Sequence, residues 1–229
     1  MKKRYTITST EQIKKRMRAF NQYYALLREF IEKGTLKSSL DRGAFTHPRQ
    51  ILTKDIIDSL GAKRHRISIG YGPESGEDIL RKKIAQLENL KHKTNYNTDN
   101  IAIVAGAWFG VELAIEQIHQ ILKNKAKKLK IAVIGPTHYQ LFQRPVEILN
   151  AEIIGFDFIN FEGSTPQTEK EINEILQSKP NIIFVTNPNN PNGEYFPSKL
   201  LQYLINLSKK RGIYVVIDEM QNFLPVKGK

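Results

Sequence analysis

The chain contains no cysteine. Disulfides and thiolate metal sites are therefore excluded, and the usage agrees with a reducing compartment. No apolar run approaches the ~20 residues that a membrane helix requires. Met1 is followed by Lys2-Lys3-Arg4 and then by polar Thr and Ser, so the start lacks the apolar centre of a secretion signal. Internal repeats and low-complexity linkers are also missing, and the composition sets disordered and collagen-like classes aside. Acidic residues are scarce beside basic ones, 23 against 35, for a formal charge of +12. Such a surplus attracts polyanions through counterion release. Yet the basic runs Lys14-Lys15-Arg16, Lys63-Arg64-His65-Arg66, Lys123 to Lys130 and Lys209-Lys210-Arg211 are not interleaved with the aromatics that stack on single strands. They fall where helices end and loops begin, where a cation complements the helix dipole. The expectation is a cytoplasmic protein with neither a nucleic-acid nor a membrane partner.

What is present suits a folded domain: 229 residues, 40% hydrophobic and 25% charged. From Glu11 to Glu32 the residues Ile13, Met17, Phe20, Tyr24, Leu27 and Ile31 recur at spacings of three and four, one apolar stripe on a long helix that Gly34 stops. Leu36 to Gly72 reads as loop with one short helix near Thr53 to Leu60. Asp78 to Leu90 then repeats the helical spacing through Ile79, Leu80, Ile84, Leu87 and Leu90. After Asn100 apolar runs near 101–105, 131–135, 151–158, 181–186 and 213–218 alternate with helical segments near 108–123, 139–149, 168–178 and 197–211. That alternation predicts an α/β fold, a mostly parallel sheet with crossover helices. Ligands of such sheets sit at the carboxyl ends of the strands.

The unusual residues fall at those ends. Directly after Ile182-Ile183-Phe184-Val185 comes Asn187-Pro188-Asn189-Asn190-Pro191-Asn192-Gly193, a turn whose composition fixes the backbone and turns amides outward. Asp218 ends the apolar strand Val215-Val216-Ile217, where a carboxylate is costly without a charged or hydrogen-bonded partner; capping the following segment would be one, a bound cation another. Gly106-Ala107-Trp108 opens a helix, and free N–H groups with the helix dipole there suit a phosphate. Pro136-Thr137-His138-Tyr139 follows another strand. Upstream stands Tyr71-Gly72-Pro73-Glu74-Ser75-Gly76, then Leu80-Arg81.

Together these segments, from about Tyr71 to Pro225, resemble the class I/II aminotransferases, the fold-type-I family that uses pyridoxal 5'-phosphate (PLP). The N-P-x-N-P-x-G turn carries most of the resemblance. It implies that Asp218 pairs with the pyridine nitrogen, that Asn190 donates to the phenolic oxygen, and that Gly106, Ala107 and Trp108 bind the phosphate. His138 aligns with the ring that stacks on the pyridine face, with Tyr139 as the alternative. Tyr71 implies a homodimer, since the family's tyrosine reaches the partner subunit's phosphate. The family often has a cis bond at the position of Asn190-Pro191. Asn187 and Asn189 read as local turn formers. Amino-group transfer between an amino acid and a 2-oxo acid is the implied reaction, with the related carbon-sulfur lyases as an alternative.

Several departures qualify this. Asn192 stands where threonine is usual, Ala105 and Ala107 offer no hydroxyl to the phosphate, and Gln221 replaces a tyrosine that would also bond the phenolic oxygen. The family's Schiff-base lysine lies roughly 30 residues beyond the Asp in an S-x-S-K pattern; Lys227 and Lys229 are too close to Asp218 to replace it. The expectation is thus a truncated chain without a catalytic lysine: residues 1–70 an N-terminal helix and loop-rich arm, 71–229 an incomplete PLP-binding large domain, and no C-terminal small domain. Such a chain would be inactive and poorly soluble alone, because strand 101–105 would lack its neighbours. A non-catalytic PLP-binding or scaffolding module paired with another polypeptide is the alternative.

Overall fold

The computed structural model describes residues 5–33, 54, 58, 71–123, 128–135, 139–158 and 166–221. The chain divides into two compact units, Met1–Gln22 with Ala105–Lys229, and Tyr23–Val104.

The first unit is built on five strands: β1 (Tyr5–Thr8), β2 (Lys130–Ile134), β3 (Glu152–Phe158), β4 (Ile182–Thr186) and β5 (Tyr214–Asp218). Their order across the sheet is β1-β3-β2-β4-β5, with β1 antiparallel to β3 and every other pair parallel. The mostly parallel α/β fold expected from the alternation is therefore present. Side chains alternate between the two faces of each strand. On one face Ile131, Val133, Ile153, Ile182 and Phe184 pack against Ile13 and Met17 of α1 (Thr10–Glu32) and against Val111, Ile115, Ile118 and Leu122 of α3 (Ala107–Lys123). On the other, Ala132, Ile134, Ile183 and Val185 meet Ile172 and Ile175 of α5 (Pro166–Gln177) and Leu200 and Leu204 of α6 (Ser198–Arg211). The short α4 (Gln143–Glu147) contributes Val146 to the first face. Each buried aliphatic side chain stabilises by roughly 1.5–3 kcal/mol, so two such layers fix the sheet between helices.

β1 was not legible beforehand. Its attachment rests on a cluster at the sheet margin, in which Asp157 accepts from the Thr8 hydroxyl at 2.9 Å and from Arg16 Nη1 at 3.0 Å. Thr10 then donates its hydroxyl to the Ile153 carbonyl and accepts from the Ile153 N–H, tying the start of α1 to β3.

The second unit holds α2 (Asp78–His92) and a 3-10 turn over Thr98–Asn100. Here a strand was expected at 101–105, and residues 101–104 form none. A strand requires a neighbour for its ladder, and among the described residues this segment joins no ladder. Instead the Ile103 N–H donates to the Ser75 carbonyl at 2.9 Å. α2 also differs from its reading: Ile79, Leu87 and Leu90 are exposed, while Arg81 is buried, donating to the Ser75 hydroxyl and pairing with Asp78 at 3.1 Å. Of the expected helix near Thr53 to Leu60, only Lys54 and Asp58 are described, both helical. The run Lys14-Lys15-Arg16 lies within α1 and not at its end; Lys209-Lys210-Arg211 does occupy the last turn of α6. No helix among the described residues is long and apolar enough to cross a membrane.

Candidate functional site

The carboxyl ends of β4 and β5 lie side by side because Thr186 pairs with Asp218 in the ladder. The next residue extends the link: the Asn187 N–H donates to the Asp218 carbonyl at 2.8 Å. Asp218 is half-buried, and its Oδ1 accepts from the Met220 N–H at 3.0 Å. Capping of the following turn, one of the two roles open to it, is thus real. It uses one oxygen, and Oδ2 has no hydrogen bond among the described residues.

Opposite Asp218 stands the start of α3. The Gly110 N–H bonds the Gly106 carbonyl, so the helix begins at the glycine. Gly106 has φ +90°, a conformation that strains any L side chain, although a Cβ there would meet no atom within 4 Å. Glycine is needed for the turn and not for room. Ala107, Trp108 and Phe109 are exposed, and the N–H groups of a first helical turn have no partner within the helix. The Trp108 indole donates to Glu112 Oε1 at 2.9 Å, so the ring is tied to its own helix, outside the core. Between α3 and the end of β5 runs an open groove of about 320 Å³, lined by Ala107, Gly110 and Ala114 on one side and by Asp218 and Met220 on the other. The spacing of three and four among those small residues keeps one helix face flat beside the carboxylate. The sequence carries that signal in the spacing of Ala107, Gly110 and Ala114.

The turn after β4 divides its asparagines by task. Asn187 Oδ1 accepts from the Phe196 N–H at 2.8 Å, and Asn189, fully buried, donates through Nδ2 to Asn192 Oδ1 at 2.6 Å. Both are local turn formers, as expected. Asn190 is half-buried, and its side chain makes no hydrogen bond among the described residues. The Asn187-Pro188 and Asn190-Pro191 peptide bonds are both cis.

Gln221 sits half-buried in the turn leaving β5. His138, with Pro136 and Thr137, lies outside the described residues, and Tyr139 begins a 3-10 turn over Tyr139–Phe142. Tyr71 belongs to the second unit and is fully exposed. Its motif owes its shape to Gly76: φ is +97°, and a Cβ would stand 2.5 Å from Ile103 Cγ1, so no other residue fits. The structure therefore brings Ala107 and Asp218 to one groove, with Gly106 immediately before Ala107 and Asn190 on the loop bonded to Asp218.

The donor set fits PLP: a half-buried carboxylate with one oxygen unbonded among the described residues suits a cationic ring nitrogen, and an exposed helix start behind a positive-φ glycine suits a phosphate. A model of the family described as aminotransferase class I and II matches residues 39–222. Among curated relatives, the aspartate aminotransferase of Thermotoga maritima is 33% identical over 160 residues, 68% of this chain and 39% of that protein. Among solved structures, alanine aminotransferase from Pyrococcus furiosus superposes with TM-score 0.61 at 20% identity, covering 77% of this chain and 43% of its own. Cystalysin from Treponema denticola, whose crystal structure contains a pyridoxal 5'-phosphate cofactor, gives TM-score 0.58 at 17% identity over 81% and 44%. The chain spans about two fifths of the length of the curated relatives it matches.

Proposed function

Because this chain belongs to the family of class I and II aminotransferases, we propose that it forms the cofactor-binding part of a PLP-dependent enzyme that moves an amino group between an amino acid and a 2-oxo acid. The observation that carries this reading is the groove in which Asp218 faces the glycine-started helix α3. When bound, PLP supplies a protonated ring that accepts electron density from the substrate carbon. The free oxygen of Asp218 holds the proton on the ring nitrogen, since a neighbouring carboxylate raises that nitrogen's pKa. Asn190, uncommitted within its own turn, donates to the ring oxygen. The N–H groups at the start of α3 take the phosphate, in place of the hydroxyl that Ala105 and Ala107 do not offer. Gln221 and His138 are assigned to the ring's surroundings, the second by its position in the sequence.

The exposure of Tyr71 supports its reaching a partner subunit, and the proposed assembly is a cytoplasmic homodimer. Residues 1–70 serve as its arm and 71–229 as part of the large domain. Residues 1–229 hold no amine at the family's spacing beyond Asp218, nor the arginine that grips the substrate carboxylate. We assign both to the part of the relatives' length that this chain does not span, and turnover to the assembly that contains them.

The test is titration of the 229-residue chain with PLP, followed through the fluorescence of Trp108, its one tryptophan. Saturable quenching is expected, with Asp218→Ala weakening it at least ~10-fold, since a desolvated charge-assisted contact contributes about 1.5–3 kcal/mol. Absence of saturation, or equal affinity in Asp218→Ala, would sink the assignment.

A further inference from the structure

The loop that carries Asn190 is closed twice. In the backbone, the Asn189 N–H donates to the Glu194 carbonyl at 2.7 Å, and the Asn189 carbonyl accepts from the Gly193 N–H at 2.7 Å. Across the same loop the Asn192 carboxamide makes three further bonds. Its Oδ1 accepts from Asn189 Nδ2 at 2.6 Å and from the Glu194 N–H at 3.3 Å, while its Nδ2 donates to Glu194 Oε2 at 3.2 Å. One exposed side chain thus joins the fully buried Asn189 to Glu194, spanning the residue that the function needs fixed.

Position 192 is also where this chain departs from the threonine of the family it resembles. The departure is chemically conservative. A threonine hydroxyl offers one donor and two lone pairs, the inventory required to accept from Asn189 and Glu194 and to donate to the Glu194 carboxylate. An aspartate would accept twice but could not donate, and it would set a second negative charge against Glu194. Alanine would do none of this. We infer that Asn192 is a positioning residue, whose carboxamide bridge holds the loop so that Asn190 meets the ring oxygen of the cofactor in one orientation.

This inference rests on the cofactor reading above, and the experiment separates the two. PLP is titrated against the 229-residue chain and against Asn190→Ala, Asn192→Ala, Asn192→Thr, Asn192→Asp and the double variant Asn190→Ala/Asn192→Ala, with Trp108 fluorescence as the readout. Loss of one hydrogen bond makes Asn190→Ala about five- to tenfold weaker. Asn192→Ala is expected to match it and to add less than about twofold in the Asn190→Ala background, because the two act through one contact. Asn192→Thr stays within about twofold of the unmodified chain, and Asn192→Asp binds more weakly than Asn192→Thr. Multiplying effects in the double variant would mean general support of the fold and would overturn the positioning role. So would an Asn192→Ala that binds like the unmodified chain, or a threonine that fails to rescue. If the unmodified chain itself shows no saturable binding, the cofactor reading falls and the inference with it.

Discussion

β4 and β5 are adjacent, parallel and composed of similar apolar residues, yet their surroundings differ. All five residues of β4 are buried, whereas β5 runs from an exposed Tyr214 through four half-buried positions. β4 has a strand on each side; among the described residues β5 has one only. Phe184 of β4 meets the Phe142 ring edge-on at a centroid distance of 5.0 Å, inside the cluster that Val216 of β5 touches from its margin. The strands thus divide two jobs. The buried one supplies rigidity and carries a turn that satisfies most of its own polar groups. The marginal one ends in a carboxylate with one oxygen unbonded among the described residues.

Substitutions sharpen this contrast, and chemical denaturation of the chain measures it. Phe184→Ala is expected to cost about 3–5 kcal/mol, because the site is fully enclosed and cannot collapse around the void. Val216→Ala, half-buried, should cost about 1 kcal/mol; equal losses at the two sites would erase the distinction. Gly212, which closes α6 and feeds β5, has φ +65° with no atom near an added Cβ. Gly212→Ala therefore meets strain without a clash, and a loss of about 1 kcal/mol is expected. Smallest is Asp218→Ala, whose half-exposed side chain makes one local bond; a change under about 0.5 kcal/mol in stability, beside a large loss of PLP affinity, is the expected signature of a residue kept for a ligand.

The sequence revealed β2 to β5 and their helices because each apolar run has a neighbour to pair with and a helix to cover it. It misled at 101–105, where an equally apolar run joins no ladder among the described residues and Ile103 bonds Ser75 instead. The converse holds at Tyr5–Thr8: four residues are too few for a period to show, and their partner, Asp157, lies 149 positions from Thr8. On α2 the stripe of leucines was visible but the burial was not, since Arg81 is drawn inward by Ser75 and Asp78, which no hydropathy pattern records. At the site, what was legible was position: Asp218 at the end of the apolar β5, and Gly106 before the helical pattern of α3. The bridging role of Asn192 was not, because it depends on which of four neighbouring asparagines faces which.

The hydrogen bond from Asn187 to the Asp218 carbonyl has one more consequence. It makes the interval between the start of the turn after β4 and the end of β5 a property of the sheet: they stand one strand apart, about 4.8 Å, whatever the loop between them contains. A substitution within the loop, at Asn192 for example, would leave that interval unchanged. Only a slip of β5 along β4 by one residue would alter it, and such a slip would turn Asp218 toward the opposite face of the sheet.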